Sequence, residues 1–385
     1  MKSFDKRHID TTIFDDGEES AESTQGSRQL KANYDALVRE RAIRYPVLYH
    51  LIRELGRGRQ GIVFLGMRQG ARGCLTRHAI KLFDPSIYST PKKYWTDMGR
   101  LASQVSRLHL IRSDNLVSRD IYEECNGIGY IQMAAIDGVD LRYLLDGSHL
   151  AIARSQCTDE EWAHFSEVIF HLEGNRIGLR PGIALWIIRK VLRGLEVLHE
   201  AGFLHGDIKP TNIMIDRMGS VKVVDFGRAV LIGEQLNILL GSPFYMAPEL
   251  HHREPGQAQS DIYSLGLVAL EMLRGEELAD TSGMDETDLL GFKMDLLDRF
   301  EDLMPEHVRE NEDILRTLRR FIHPDPDHRH ASAEEAETGD DSVRVVHQQL
   351  VFARKDAEYE RELQNYLEKL INPATGVVNP FMALE

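Results

Sequence analysis

Cysteine is scarce in this chain, with Cys74, Cys125 and Cys157 the only three among 385 residues. They lie far apart without CxxC spacing, which argues against a disulfide framework or a cysteine zinc site and fits a reducing compartment. Long apolar runs are missing too. No stretch of about 18 apolar residues occurs, so no membrane span is expected. Met1 to Asp10 is charged and has no signal-peptide core. A cytoplasmic location is therefore the expectation. Basic charge is in deficit, 46 Lys and Arg against 61 Asp and Glu, for a net charge of −15. Phosphate backbones select basic patches, so nucleic acid is not an expected partner, whereas basic protein substrates remain open. What the chain does have is 42% hydrophobic residues, enough for a sizeable core.

The densest concentration of chemistry is His205-Gly206-Asp207-Ile208-Lys209-Pro210-Thr211-Asn212, followed by Asp225-Phe226-Gly227. In order it supplies a carboxylate, an ammonium, an amide and a second carboxylate. Moving a phosphoryl group from a Mg-nucleotide to a hydroxyl needs this set. Asp207 can orient a hydroxyl and accept its proton, and Lys209 can neutralise the migrating group. Asn212 and Asp225 offer hard oxygen ligands for Mg2+. Apolar residues on both sides predict short buried strands with the loops between them.

Upstream, Gly56-Arg57-Gly58-Arg59-Gln60-Gly61-Ile62-Val63 is a GxGxxGxV run whose glycines let backbone amides approach phosphates. A dinucleotide-binding turn would place a helix directly after the last glycine. Ile62-Val63-Phe64-Leu65 reads as strand instead, and Ala79-Ile80-Lys81-Leu82 as another.

Together, and in this order, these segments resemble eukaryotic-like (Hanks-type) Ser/Thr protein kinases, over about Tyr49 to Ala336. The resemblance implies an α+β fold of two lobes, the small one β-rich with one long helix and the large one mainly helical. It implies ATP and Mg2+ as cofactors and Ser/Thr hydroxyls of proteins as acceptors. Catalysis would fall to Asp207, Lys209 and Lys81, and metal binding to Asn212 and Asp225. Nucleotide contacts would come from Gly56, Gly58, Gly61, Val63, Ala79, Lys81, Met133, Ala134, Ile136, Asp140 and Met214. Gly241-Ser242-Pro243-Phe244-Tyr245-Met246-Ala247-Pro248-Glu249 resembles the family's substrate platform. Within it Ser242 would bond Asp207 and Lys209, and Glu249 would pair with Arg329. Asp261, at the start of a helix, would tie down the catalytic-loop backbone, and His205 would pack behind Phe226 with Leu108.

Two positions depart from the family pattern. Gln104 stands where a glutamate usually pairs with the strand lysine, so it can accept a hydrogen bond from Lys81 but adds no charge. That makes a nucleotide-binding pseudokinase, acting as a scaffold or allosteric partner, the alternative reading. Gly206 stands where many members carry arginine, and Arg228 to Gly241 holds no Ser, Thr or Tyr. The two absences agree on a non-RD kinase whose activity is independent of activation-loop phosphorylation.

The expected organisation is an acidic disordered segment, 1–27, and a helical extension, 28–48. A kinase domain follows at 49–337, with small lobe 49–133, large lobe 137–337 and a helical insertion at about 147–181. A helical extension and tail, 338–385, closes the chain and either packs on the large lobe or mediates self-association. His251-His252 and His328/His330 read as surface residues, and the Leu and Met positions from Leu289 to Met304 as core packing.

Overall fold

The computed structural model describes residues 21–174, 176–234, 242–281, 283–353 and 359–378. The proposed acidic segment up to residue 20, residues 235–241 of the loop after Gly227 and residues 379–385 of the tail therefore lie outside the described residues.

The small lobe is a six-stranded antiparallel sheet in the order β1-β2-β3-β4-β6-β5. Its strands are β1 (Ala42–Ile43), β2 (Tyr49–Gly58), β3 (Gly61–Gln69), β4 (Leu75–Phe83), β5 (Arg119–Cys125) and β6 (Ile128–Ala134). Two helices cover it, α1 (Ala21–Glu40) and α2 (Pro91–Leu108). Thr90 starts α2 by accepting the amide of Lys93, and Pro91 supplies a preset first turn. The helix buries Tyr94, Met98, Leu101, Val105 and Leu108 at three- and four-residue steps.

α1 corrects the expected boundary, because residues 21–27 are helical. The cause is an apolar stripe: Leu30, Tyr34 and Leu37 enter the small-lobe core, and Asn33 Nδ2 donates 2.7 Å to the carbonyl of Asn126. β1 also pairs with β2, so the sheet begins before Tyr49.

The large lobe opens with β7 (Gly138–Asp140) and α3 (Leu141–Asp146). The insertion follows. It contains α4 (Ser148–Ser155) and α5 (Asp159–Val168), but its second half is a hairpin, β8 (Phe170–Glu173) with β9 (Arg176–Leu179). The expectation of a wholly helical insertion is thus corrected. Phe170, Ile177 and Leu179 are buried, whereas Leu172, Glu173 and Arg176 are exposed.

The core of the lobe is α6 (Pro181–Glu200) against α8 (Ala258–Arg274). The remaining strands are β10 (Phe203–Leu204), β11 (Ile213–Asp216), β12 (Val221–Val223) and β13 (Val230–Leu231). The remaining helices are α7 (Pro248–His251), α9 (Glu286–Leu303), α10 (Glu306–Arg309), α11 (Glu312–Phe321), α12 (Ala333–Thr338), α13 (Val343–Ala353) and α14 (Tyr359–Glu368). The C-terminal helices use their apolar faces within the chain: Val343, Leu363, Tyr366 and Leu367 are fully buried in the large-lobe core. Tyr366 stacks edge-on against Phe165 and Phe170 of the insertion. No described helix is long and apolar enough to cross a membrane.

Candidate active site

One cleft of about 510 Å3 lies between the lobes, within the ~300–1,000 Å3 usual for ligand sites. Every residue expected at the site lines it: Gly56, Gly58, Gly61, Val63, Ala79, Lys81, Met133, Ala134, Ile136, Asp140, Asp207, Lys209, Asn212, Met214 and Asp225.

The glycine run is the hairpin between β2 and β3, closed where Gly58 faces Gly61. Gly61 has φ +142°, and a Cβ there would strike the Leu82 carbonyl at 1.9 Å, so only glycine fits. A Cβ on Gly56 or Gly58 would meet nothing within 4 Å, which leaves the backbone open to a ligand. Pairing of β3, β4 and β6 sets Val63 beside Lys81 and Ala79 beside Met133. Asp140 caps α3, its Oδ1 accepting the Tyr143 amide at 2.8 Å, and burial raises its pKa.

Asp207 is buried and held from three directions. Lys209 Nζ donates to its Oδ2 at 2.9 Å, Asn212 Nδ2 at 3.2 Å, and the Ser242 amide donates to Oδ1 at 3.0 Å. Lys209 also donates 3.0 Å to the Ser242 hydroxyl. Beneath, Asp261 accepts the amides of His205 and Gly206 at 2.8 and 2.9 Å, with His199 Nε2 at 2.9 Å. His205 is fully buried against Phe226, their ring centres 5.0 Å apart, and Leu108 packs in the same cluster as Phe226.

Across the cleft, Lys81 Nζ lies 2.5 Å from Asp225 Oδ1 and donates 3.0 Å to Gln60 Oε1. Burial alone would raise the Asp225 pKa, but the Lys81 ammonium outweighs it and holds the carboxyl well below the usual range. The oxygens suit a hard cation. Asn212 spends its Nδ2 on the Asp207 carbonyl (2.8 Å) and carboxylate, which leaves its Oδ1 as a donor to metal. Asp225 contributes an ionised carboxylate, of which Oδ1 also accepts the Gly227 amide at 3.3 Å.

Gln104 behaves differently from expectation. It is buried in α2, but its Nε2 donates to the Ala229 carbonyl just past Gly227, and its Oε1 has no hydrogen-bond partner. Without a charged partner on α2, Lys81 turns to Asp225 and Gln60. Gln60 and Arg228 are site residues that sequence reasoning passed over. Arg228 lines the cleft with its Nε 3.8 Å from Asp207 Oδ2. Its place directly after Asp225-Phe226-Gly227 was the available signal.

The platform is fixed by Glu249 and Arg329, both buried and joined by two bonds of 2.9 Å, with Ser260 donating to Glu249 at 2.7 Å. Two surface assignments are corrected: His251 and His330 are buried, whereas His252 and His328 are exposed.

The protein kinase domain family profile matches residues 49–338, three quarters of the chain. The chain belongs to this family. Among curated relatives, it is 28% identical to the serine/threonine-protein kinase ste20 of Aspergillus fumigatus, over 60% of this chain and 24% of that protein. It is 25% identical to the probable serine/threonine-protein kinase PknB of Lactococcus lactis, over 71% of this chain and 38% of PknB. A shorter match, 41% identical over 26% of this chain and 17% of the relative, is to mitogen-activated protein kinase kinase kinase 1 of Arabidopsis thaliana. The match thus spans well under half the length of each of these relatives.

Proposed function

We propose that this chain is a protein serine/threonine kinase that moves the γ-phosphoryl of ATP to Ser or Thr hydroxyls of protein substrates. The observation that carries this reading is the fixed Asp207 carboxylate, which faces the Lys81–Asp225 pair across one cleft. Asp207 would hold the acceptor hydroxyl and take its proton, and Lys209 would neutralise the group in transit. Lys81 would exchange its bond to Asp225 for phosphate oxygens, and Asp140 would meet the ribose. Asn212 and Asp225 would hold Mg2+, which would supply positive charge against the nucleotide phosphates. Lysine two residues after Asp207, together with Ser242 on the platform, supports Ser/Thr over Tyr acceptors.

The loop after Gly227 supports independence from loop phosphorylation. Gly206 sits at φ +73°, a conformation that L side chains avoid, and a Cβ there would lie 3.1 Å from the Arg228 carbonyl. An arginine that receives a loop phosphate is disfavoured at this backbone position.

One observation favours the second reading, a nucleotide-binding scaffold: Gln104 is spent on Ala229 and leaves Lys81 without a partner on α2. Transfer from labelled ATP with Mg2+ to a basic Ser/Thr peptide, in wild type, Asp207→Ala and Gln104→Glu, separates the two. The kinase reading expects transfer that disappears in Asp207→Ala and rises in Gln104→Glu. Nucleotide binding without transfer in wild type and in Gln104→Glu would favour the scaffold.

A further inference from the structure

Lys293 lies on α9 between the buried Leu289 and Leu296, in the stripe that the sequence marks as core, and its own side chain is fully buried. An ammonium out of water costs several kcal/mol unless its protons are met. Here all three are. Nζ donates to the carbonyls of Pro243 and Met246, both at 2.6 Å, and lies 2.7 Å from His251 Nε2. With Nε2 accepting from Lys293, the imidazole carries its proton on Nδ1, which faces Glu286 Oε1 at 3.3 Å. Burial and the adjacent ammonium both lower the His251 pKa, which keeps the ring neutral. Glu286 begins α9 and also accepts from both terminal guanidinium nitrogens of Arg253.

The chain of contacts thus runs from an exposed carboxylate through a buried imidazole to a buried ammonium and ends on two carbonyls of the platform. Phe292, next to Lys293, adds a ring contact to Phe244 with centres 5.8 Å apart. The clamped segment begins one residue after Ser242, whose amide and hydroxyl meet Asp207 and Lys209. A leucine or methionine at position 293 would meet the core requirement of α9 without the cost of burying charge. What it could not do is hold the carbonyls of Pro243 and Met246.

We propose that Lys293 is a positioning residue for the acceptor protein, fixing Pro243–Met246 in the shape that receives the acceptor chain and, through Ser242, aligns its hydroxyl with Asp207. The proposal rests on the kinase reading above. Lys293 and its partners Pro243, Met246 and His251 do not line the cleft that holds Lys81 and the glycine hairpin.

The test uses the full chain with Lys293→Met, Lys293→Arg and Glu286→Gln. Lys293→Met should raise the KM for a Ser/Thr peptide about ten-fold, equivalent to about 1.4 kcal/mol, while the KM for ATP moves less than about two-fold. Lys293→Arg, which keeps the charge, should recover part of the loss. Amide exchange at residues 244–247 should accelerate in Lys293→Met, while residues 203–209 keep their protection. Glu286→Gln weakens only the outer end of the relay. It should shift the same two readouts in the same direction by a smaller amount, and it decides the matter if Lys293→Met does not fold. An unchanged peptide KM in folded variants, or equal losses for peptide and ATP, would overturn the proposal. If neither the wild type nor Gln104→Glu transfers to any peptide, the kinase reading fails by itself. Amide exchange then decides this inference, and unchanged protection at 244–247 in both variants overturns it.

Discussion

Gly206 and Lys293 each show a single residue whose choice follows from its surroundings. At φ +73°, Gly206 lets the loop turn beneath Asp207 while Asp261 holds its amide. Gly206→Ala should cost about 1–2 kcal/mol through the left-handed backbone alone. Denaturant melts check this, and an unchanged midpoint would show that the loop relaxes. For Lys293, burial pushes the ammonium down to about 7, with Glu249 and Glu286 opposing. An unfolded lysine titrates near ~10.4. Between those values the native state binds fewer protons than the unfolded chain, so unfolding free energy climbs as pH rises through that window. The burial cost is fully present below about 7 and relieved toward about 10. Wild type should therefore gain stability over Lys293→Met between pH 7 and 9.5, and parallel curves would contradict this.

At the scale of elements, legibility tracked how local the signal was. The segments Asp207–Asn212 and Asp225–Gly227 are continuous and lie between short buried strands, so Asp207, Lys209, Asn212 and Asp225 could be read in place. The glycine hairpin was legible because Ile62–Leu65 reads as strand. The hairpin Phe170–Leu179 was missed, although its alternation and Gly174 fit a tight turn, with Glu173 facing Arg176. The preceding helical pattern at Asp159–Trp162 carried the reading past it. Gln104 could be placed on α2, but its bond to Ala229 could not, because 125 residues separate them. The Glu249–Arg329 pair spans 80 residues and was nevertheless legible, since both ends sit in recognisable motifs. It joins α7 to the turn before α12 in a site where both side chains are buried. Glu249→Ala leaves a buried guanidinium uncompensated and should cost about 3–5 kcal/mol. Thermal unfolding measures this, and a loss below about 1 kcal/mol would mean that water reaches Arg329.

Across the whole molecule, the chain returns to the hinge between the lobes. After α14, Val377 packs with Leu65, Leu55 and Ala135, and the Val378 amide donates 3.0 Å to Asp137 Oδ1. Arg217 of the large lobe donates 3.3 Å to the Gly376 carbonyl. The tail therefore touches both lobes beside the cleft, which Leu55 also lines. Val377→Asp would put a charge into that contact and should weaken ATP binding about three- to ten-fold by calorimetry, or ~0.7–1.4 kcal/mol. Unchanged affinity would show that the lobes hold their orientation without the tail.

The same scale contains the central claim, that two lobes carrying Asp207, Lys81 and Asp225 work without a charged partner from α2 and without a phosphate on the loop. The most direct measurement is the initial rate of transfer from labelled ATP to a Ser/Thr peptide by phosphatase-treated protein, beside Asp207→Ala. The account predicts a linear rate from the first time point, absent in Asp207→Ala. No transfer, or a lag that disappears once the protein has phosphorylated itself, would contradict it.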